Sequence, residues 1–256
     1  MTTTWNPTQY LLFGNERLRP ALDLMGRVPV EAPAMAYDLG CGPGTATVLL
    51  KDRWPTAQVT GIDSSEEMLE RARALRKDIV WKTGDLTTWR PDSPADVLYS
   101  NAALHWLDDH ETLFPHLLAG LRPGGALAVQ MPQNFRAPSH TSIAEVVRGG
   151  PWRQRLEPHH RVQPTLEASE YYRILRQHVT SLDIWETTYY HVLEGENPVV
   201  EWTKGSILRP ILAQLDAAET KVFLDRYGAL VRAAYPRGSD GKTILPFKRL
   251  FFTAVK

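Results

Sequence analysis

The sequence predicts a doubly wound α/β domain on a mostly parallel sheet, carrying a helical cap. Three observations predict it. Short apolar runs alternate with helical patterns through residues 34–131, a glycine-rich turn joins the first run to the first helix, and an acidic residue closes the next run. Strands feeding helices at this spacing pack back as right-handed crossovers, which lays the strands parallel and covers both faces of the sheet.

The elements follow in order. After a polar opening with Pro7 and Pro20, residues 34–39 read as a buried strand, and Gly40-Cys41-Gly42-Pro43-Gly44 is a tight turn. Residues 45–53 carry Ala46, Val48, Leu49 and Leu50 at helical spacing until Pro55, and residues 57–63 form a second strand. Ser64 or Ser65 opens the next helix, with Glu66 and Glu67 at the positive end of its dipole and Met68, Leu69, Ala72 and Leu75 as its buried stripe. Residues 79–83, 96–101 and 126–131 are the third to fifth strands. A helix at 113–121 precedes the break at Arg122-Pro123-Gly124-Gly125. From 132 to about 164 the pattern degrades into Pro, Gly, His and Arg, as in an insertion or lid. Thr165 caps a helix through His178, residues 180–193 alternate as a strand, 199–215 and 217–235 read as two helices, and 249–255 close as a strand. The expectation is one domain over 1–256. Its core is 30–131 plus 165–193 and 245–256, with cap insertions at about 132–164 and 197–240.

Composition narrows the function classes. The 29 basic and 29 acidic residues cancel, so nothing draws the chain to nucleic acid or an acidic membrane. At 43% hydrophobic and 23% charged, the chain has the proportions of a soluble globular protein. The single Cys41 makes no internal disulfide and no thiolate cluster for zinc. No run approaches the ~18 apolar residues of a membrane span, and residues 1–7 lack the basic start and apolar run of a signal peptide. A cytoplasmic location is expected, with neither nucleic-acid nor membrane partners and no metal.

The chemistry gathers around the first turn. Glycines there permit a tight turn and close ligand approach, and the following helix offers free N–H groups. Asp63 lies nineteen residues after Gly44, where an acidic side chain can accept both hydroxyls of a ribose. A dinucleotide site would read Gly-x-Gly-x-x-Gly. Here the order is Gly40-x-Gly42-x-Gly44 behind Asp38, which repels phosphate and suits a cation.

Asp38-Leu39-Gly40-Cys41-Gly42-Pro43-Gly44 resembles the glycine-rich loop of class I S-adenosylmethionine-dependent methyltransferases, a Rossmann-like fold. The cofactor implied is S-adenosyl-L-methionine, leaving as S-adenosyl-L-homocysteine. The resemblance implies that Asp63 and Ser64 meet the ribose, that Met68 faces the adenine, and that Asp85 and Leu86 in Gly84-Asp85-Leu86 meet its amino group. It assigns Asn101 and Ala102, in the Ser100 to Trp106 string, to the methyl-transfer cleft. The flanks, Trp5 to Phe13 and Leu245 to Phe251, resemble the branch of that family that esterifies trans-aconitate, and imply cofactor contacts from Gln9 and Tyr10.

His105 is open between general base, substrate donor and structural histidine; substrate contact is the reading taken. Trp106 is a core residue or an indole beside the transferring methyl. A polyanionic substrate needs cations, and Lys204 and Arg209 share the 199–215 helix with Trp202, so these three are candidate substrate contacts. A carboxylate acceptor requires no base. Three alternatives stay open: another small oxygen or nitrogen acceptor, a non-catalytic sensor of the same cofactor, and a nicotinamide-dependent dehydrogenase.

Overall fold

A computed structural model describes residues 14–160 and 165–256, with side chains from residue 18 onward. The elements are α1 (Gly14–Met25), β1 (Met35–Leu39), α2 (Thr45–Arg53), β2 (Gln58–Asp63), α3 (Glu66–Leu75), β3 (Val80–Thr83), β4 (Ala95–Asn101), α4 (His110–Ala119) and β5 (Leu121–Pro132). They continue as α5 (Pro138–Gly149), α6 (Arg153–Leu156), α7 (Ala168–Leu175), β6 (Ser181–Leu193), α8 (Pro198–Lys204), α9 (Arg209–Leu212), α10 (Ala217–Ala234) and β7 (Thr243–Val255). Seven strands form one sheet in the order β3-β2-β1-β4-β5-β7-β6. The pairs among β1 to β5 are parallel and β7 runs antiparallel to β5. This is the doubly wound, Rossmann-like sheet expected, with the order turning back between β1 and β4, where open sheets of this kind bind ligands.

The chain divides into two compact units. The larger comprises residues 17–132, 164–187 and 249–256, and the smaller 1–16, 133–163 and 188–248. In the larger unit Leu39, Ile62, Leu98, Leu127, Phe114 and Phe252 are among the residues sealed in one apolar cluster. In the smaller unit Ile143, Trp152, Trp202, Phe223 and Tyr227 belong to another. No helix among the described residues is long and apolar enough to cross a membrane.

Several expected boundaries move for local reasons. Pro20, part of the polar opening, is the seventh residue of α1, where its missing N–H removes one bond of the helical ladder. In α2 the buried positions are Thr47 and Leu50, not the full apolar set, and Leu75 at the end of α3 is 54% exposed. The helix expected at 113–121 begins earlier, at His110, on an Asp109 cap that accepts from Thr112 N–H. Arg122 to Gly125 is not a break before β5 but an irregularity inside it, where the register with β4 shifts and Gly124 takes φ 77°. Residues 138–149, read as irregular, form α5, with Pro138 in its first turn and Ile143, Val146 and Val147 on its buried side. Glu167, not Thr165, caps α7 through a reciprocal pair of bonds with Glu170. The single helix expected over 199–215 is two, because α8 ends at Gly205 and α9 restarts with Pro210 in its first turn.

Candidate functional site

β1 carries Asp38 and the glycine turn to the carboxyl edge of the sheet. Gly40, Gly42 and Gly44 all have positive φ, at 73°, 53° and 85°, a region that costs other residues about 1–2 kcal/mol. Their surroundings differ. A Cβ at Gly40 would stand 2.2 Å from the Ala103 Cβ, and one at Gly44 2.5 Å from the Trp81 indole; at Gly42 it would meet nothing within 4 Å. Packing accounts for the first and third glycines. Gly42 faces open space, where a ligand can approach the backbone.

Asp38 is buried, and its Oδ2 accepts the Thr47 hydroxyl at 2.6 Å. Burial pushes its carboxyl up to about 7, the Thr47 bond opposing and the Asp63 charge adding to the rise. A cation beside it would favour the ionised form. Cys41 is buried in the same turn and burial raises its thiol far above the ordinary value, so it is a small packing residue and not a nucleophile.

Asp63, at the end of β2, ties the turn to its neighbours. Its Oδ2 accepts Gly42 N–H at 2.8 Å and its Oδ1 accepts Ser65 N–H at 2.9 Å. A carboxylate oxygen accepts two bonds, so each keeps room for a ribose hydroxyl. Of the two serines, Ser65 is the cap, its Oγ accepting Met68 N–H at 3.4 Å; Ser64 is exposed and Met68 buried. Gly84 N–H donates to the Asp63 carbonyl at 3.0 Å, which brings the end of β3 alongside. There Asp85 is exposed, and its Oδ1 accepts both the backbone N–H and the hydroxyl of Thr87, bonds that hold its carboxyl below the usual range. Leu86 is buried behind Gly40.

The end of β4 adds Asn101, whose buried Oδ1 has no hydrogen-bond partner. Ala102 follows at φ 54°, held there by its N–H bond to the Gln130 carbonyl at 2.9 Å. A strained non-glycine residue at a strand end marks a place where function constrains the backbone. The short turn Leu104–Trp106 places His105 in the interior and leaves Trp106 46% exposed, with ring centroids 4.9 Å apart. Trp106 is therefore not a core residue.

His110 braces this turn from behind. Its Nε2 lies 3.1 Å from the Leu104 carbonyl and its Nδ1 2.7 Å from the Tyr171 hydroxyl. A carbonyl only accepts, so Nε2 carries the hydrogen and Nδ1 accepts from Tyr171. Burial lowers the His110 pKa, which keeps the imidazole neutral.

The structure thus brings Asp38, the three glycines, Asp63, Ser64, Met68, Asp85, Leu86, Asn101 and Ala102 to the carboxyl edge of four adjacent strands. Gln9 and Tyr10 lie outside the described residues. Trp202, Lys204 and Arg209 belong to the smaller unit; Trp202 and Lys204 share α8, and Arg209 lies on α9 instead. Trp202 is buried against His191, ring centroids 4.5 Å apart, Lys204 pairs with Glu201 at 2.6 Å, and Arg209 opens α9. Two cavities of that unit, of about 270 and 400 Å³, are lined by residues of 196–243 and by none of the glycine turn. Among the described residues no cluster of His, Cys, Asp or Glu is arranged to hold a metal ion. Sequence reasoning missed Thr47, Trp81, His110 and Tyr171. Only Thr47, in the first turn of α2, had a local signal.

The residues present fit the expected cofactor. The open space over Gly42 admits it to the backbone, the unpartnered Asn101 Oδ1 seeks a donor, Asp63 keeps acceptor sites for hydroxyls, and Asp38 suits an ammonium.

Comparison with known proteins supplies the rest. Residues 36–125 match the family described as a methyltransferase domain. Over 253 residues the chain is 46% identical to the trans-aconitate 2-methyltransferase of Azoarcus sp. (strain BH72), covering 99% of each. It is 43% identical over 251 residues to the trans-aconitate 2-methyltransferase of Yersinia pestis (strain Pestoides F), covering 98% of this chain and 97% of that one. Among solved structures, an S-adenosylmethionine-dependent methyltransferase from Mesorhizobium loti superposes with TM-score 0.53 at 21% identity, covering 94% of this chain and 99% of that one, a likeness of fold.

Proposed function

Because the chain belongs to the trans-aconitate 2-methyltransferase family of S-adenosylmethionine-dependent methyltransferases, we propose that it methylates a carboxylate of trans-aconitate. The observation that carries this reading is the 46% identity sustained along the whole chain. S-adenosyl-L-methionine, when bound, supplies an electrophilic methyl group and leaves as S-adenosyl-L-homocysteine.

The chain's own residues do the rest by binding and orientation. Asp63 accepts the ribose hydroxyls through the lone pairs not used by Gly42 and Ser65. Asn101 Oδ1 takes a donor, and Asp38, ionised beside a cation, neutralises it. Gly42 lets the backbone come close, Ser64, Met68, Asp85 and Leu86 line the nucleoside end, and Ala102 shapes the strand end next to the acceptor. His105 and Trp106 meet the substrate.

No residue has to act as a base. A carboxylate acceptor with a pKa of about 4 is already ionised at neutral pH, so the work is holding two reactants in line, away from water. That removes the need for His105 to accept a proton.

The test is mass spectrometry of the purified protein with methyl-labelled S-adenosyl-L-methionine and a panel of trans-aconitate, cis-aconitate, citrate, isocitrate and simple phenols. A labelled monoester of trans-aconitate, formed faster than any other product, is expected. A labelled phenol with no labelled acid would move the acceptor to another class, and cofactor binding without any labelled product would make the protein a sensor.

A further inference from the structure

Resting on that reading, we infer that Arg249 and Gln130 form a carboxylate-anchoring site for the acceptor, holding a carboxylate other than the one methylated. Among the described residues Arg249 is the one lysine or arginine that is fully buried, at 5% exposure. It stands in β7 opposite Pro132, the last residue of β5, at the carboxyl edge of the parallel strands. Gln130, two residues earlier in β5, pairs in register with Asn101 of β4. Strand alternation sets Asn101, Gln130 and Arg249 on one face, in a row that starts at the strand end assigned to the cofactor.

The side chains themselves point to a ligand. Arg249 Nη1 donates to Gln130 Oε1 at 3.1 Å. That bond fixes the amide, since the reverse orientation would set N–H against N–H. Gln130 Nε2 is thereby left as a buried donor with no partner, in a residue with no exposed surface. A buried N–H without an acceptor is costly and rare. Beside it lies a planar guanidinium fork, whose geometry matches a carboxylate. Two adjacent buried donors, one charged, describe a site for an organic anion.

The chemistry also says which carboxylate. Charge-assisted bonds withdraw electron density from the oxygen they hold, so a carboxylate clamped by arginine is a poorer nucleophile. The anchored group is therefore the bystander, and the anchor selects polycarboxylates over monocarboxylates.

Three proteins test this: wild type, Gln130→Glu, which sets a second anion beside the guanidinium, and Arg249→Lys, which keeps the charge but loses the fork. Kinetics with trans-aconitate and calorimetric titration with S-adenosyl-L-homocysteine are measured on each. Both variants are expected to raise the trans-aconitate KM about 10- to 100-fold with a smaller change in kcat, and to bind S-adenosyl-L-homocysteine within about threefold of wild type. A trans-aconitate KM within twofold of wild type in both variants overturns the anchor. Absence of labelled trans-aconitate ester from the wild type overturns the substrate reading on which the anchor rests, a failure distinct from the first. If neither variant binds S-adenosyl-L-homocysteine, the crystal structure of wild type with that product and trans-aconitate decides: no carboxylate within hydrogen-bond distance of Arg249 overturns the anchor.

Discussion

Replacing Gly42 by alanine separates the cost of a backbone conformation from the cost of a blocked site. With φ 53° and nothing within 4 Å of the added methyl, the free protein bears only the left-handed penalty of about 1–2 kcal/mol. The stiffer unfolded chain offsets about 0.4–1 kcal/mol of that, so a net loss near 1 kcal/mol is expected. Gly40→Ala has the same backbone penalty, but its methyl meets the Ala103 Cβ at 2.2 Å, which adds about 1–3 kcal/mol of overpacking. The order reverses on binding. If the space over Gly42 is the cofactor's path, the overlap of about 1–3 kcal/mol destabilises the complex instead, and affinity for S-adenosyl-L-homocysteine falls about 5- to 150-fold. Urea unfolding and calorimetric titration measure the two effects separately. Gly42→Ala with wild-type affinity would refute the assignment of that space to the cofactor. Gly42→Ala as destabilised as Gly40→Ala would refute the packing argument.

Asp38 supplies a pH prediction. Folding raises its carboxyl from 3.8 to about 7, so the folded state holds a proton that the unfolded state has released between those values. The stability this contributes is complete below pH 3.8 and is lost as pH rises to about 7, by at most about 1.4 kcal/mol per pH unit. Asp38→Asn has no such loss, and urea unfolding at pH 5 and pH 8 should show it less weakened by the higher pH than wild type; parallel curves would remove Asp38 as the source. Tyr171→Phe strips His110 Nδ1 and the Leu166 N–H of a shared buried partner, each costing about 1–3 kcal/mol, and should lower the melting temperature by several degrees; an unchanged Tm would mean that the network carries no stability. Asp63→Ala should weaken S-adenosyl-L-homocysteine binding by about tenfold or more through lost hydroxyl contacts, measured by calorimetry, and wild-type binding would exclude the ribose role. Lys204→Ala and Arg209→Ala are expected to raise the trans-aconitate KM; an unchanged KM would confine Lys204 to its pair with Glu201.

The part of the fold that sequence could specify is the part whose determinants are local. α2 and β2 are bounded by Pro55 and by the glycine turn, and the Asp38, Gly42 and Asp63 constellation lies within 26 residues of chain. Ser65 was one of two serines with equal local claims; the bond to Met68 N–H decides between them. Errors arose where a local signal competed with packing. Pro138 belongs to a stretch read as irregular, yet it sits in the first turn of a helix where its missing N–H costs nothing, and the burial of Ile143, Val146 and Val147 decides for helix. The apolar run after Val199 read as one helix although Gly205 divides it. Trp81, packed against Gly44 and Gly61, and the Arg249–Gln130 pair were out of reach for another reason: they depend on strand register between distant segments.

That distance also sets a timetable. β5 forms its antiparallel edge with β7, and Gln130 meets Arg249 across 119 positions of chain. Loop closure over such a span is entropically slow. Until it happens, Ala126 to Met131, all buried in the finished sheet, present an open edge of main-chain donors and acceptors to any other strand. The slow step of refolding is therefore expected to be the arrival of the last strand between β5 and the edge strand β6. Aggregation competes most strongly in the interval before it, and a peptide copy of residues 249–255 added in that interval should compete for the same edge.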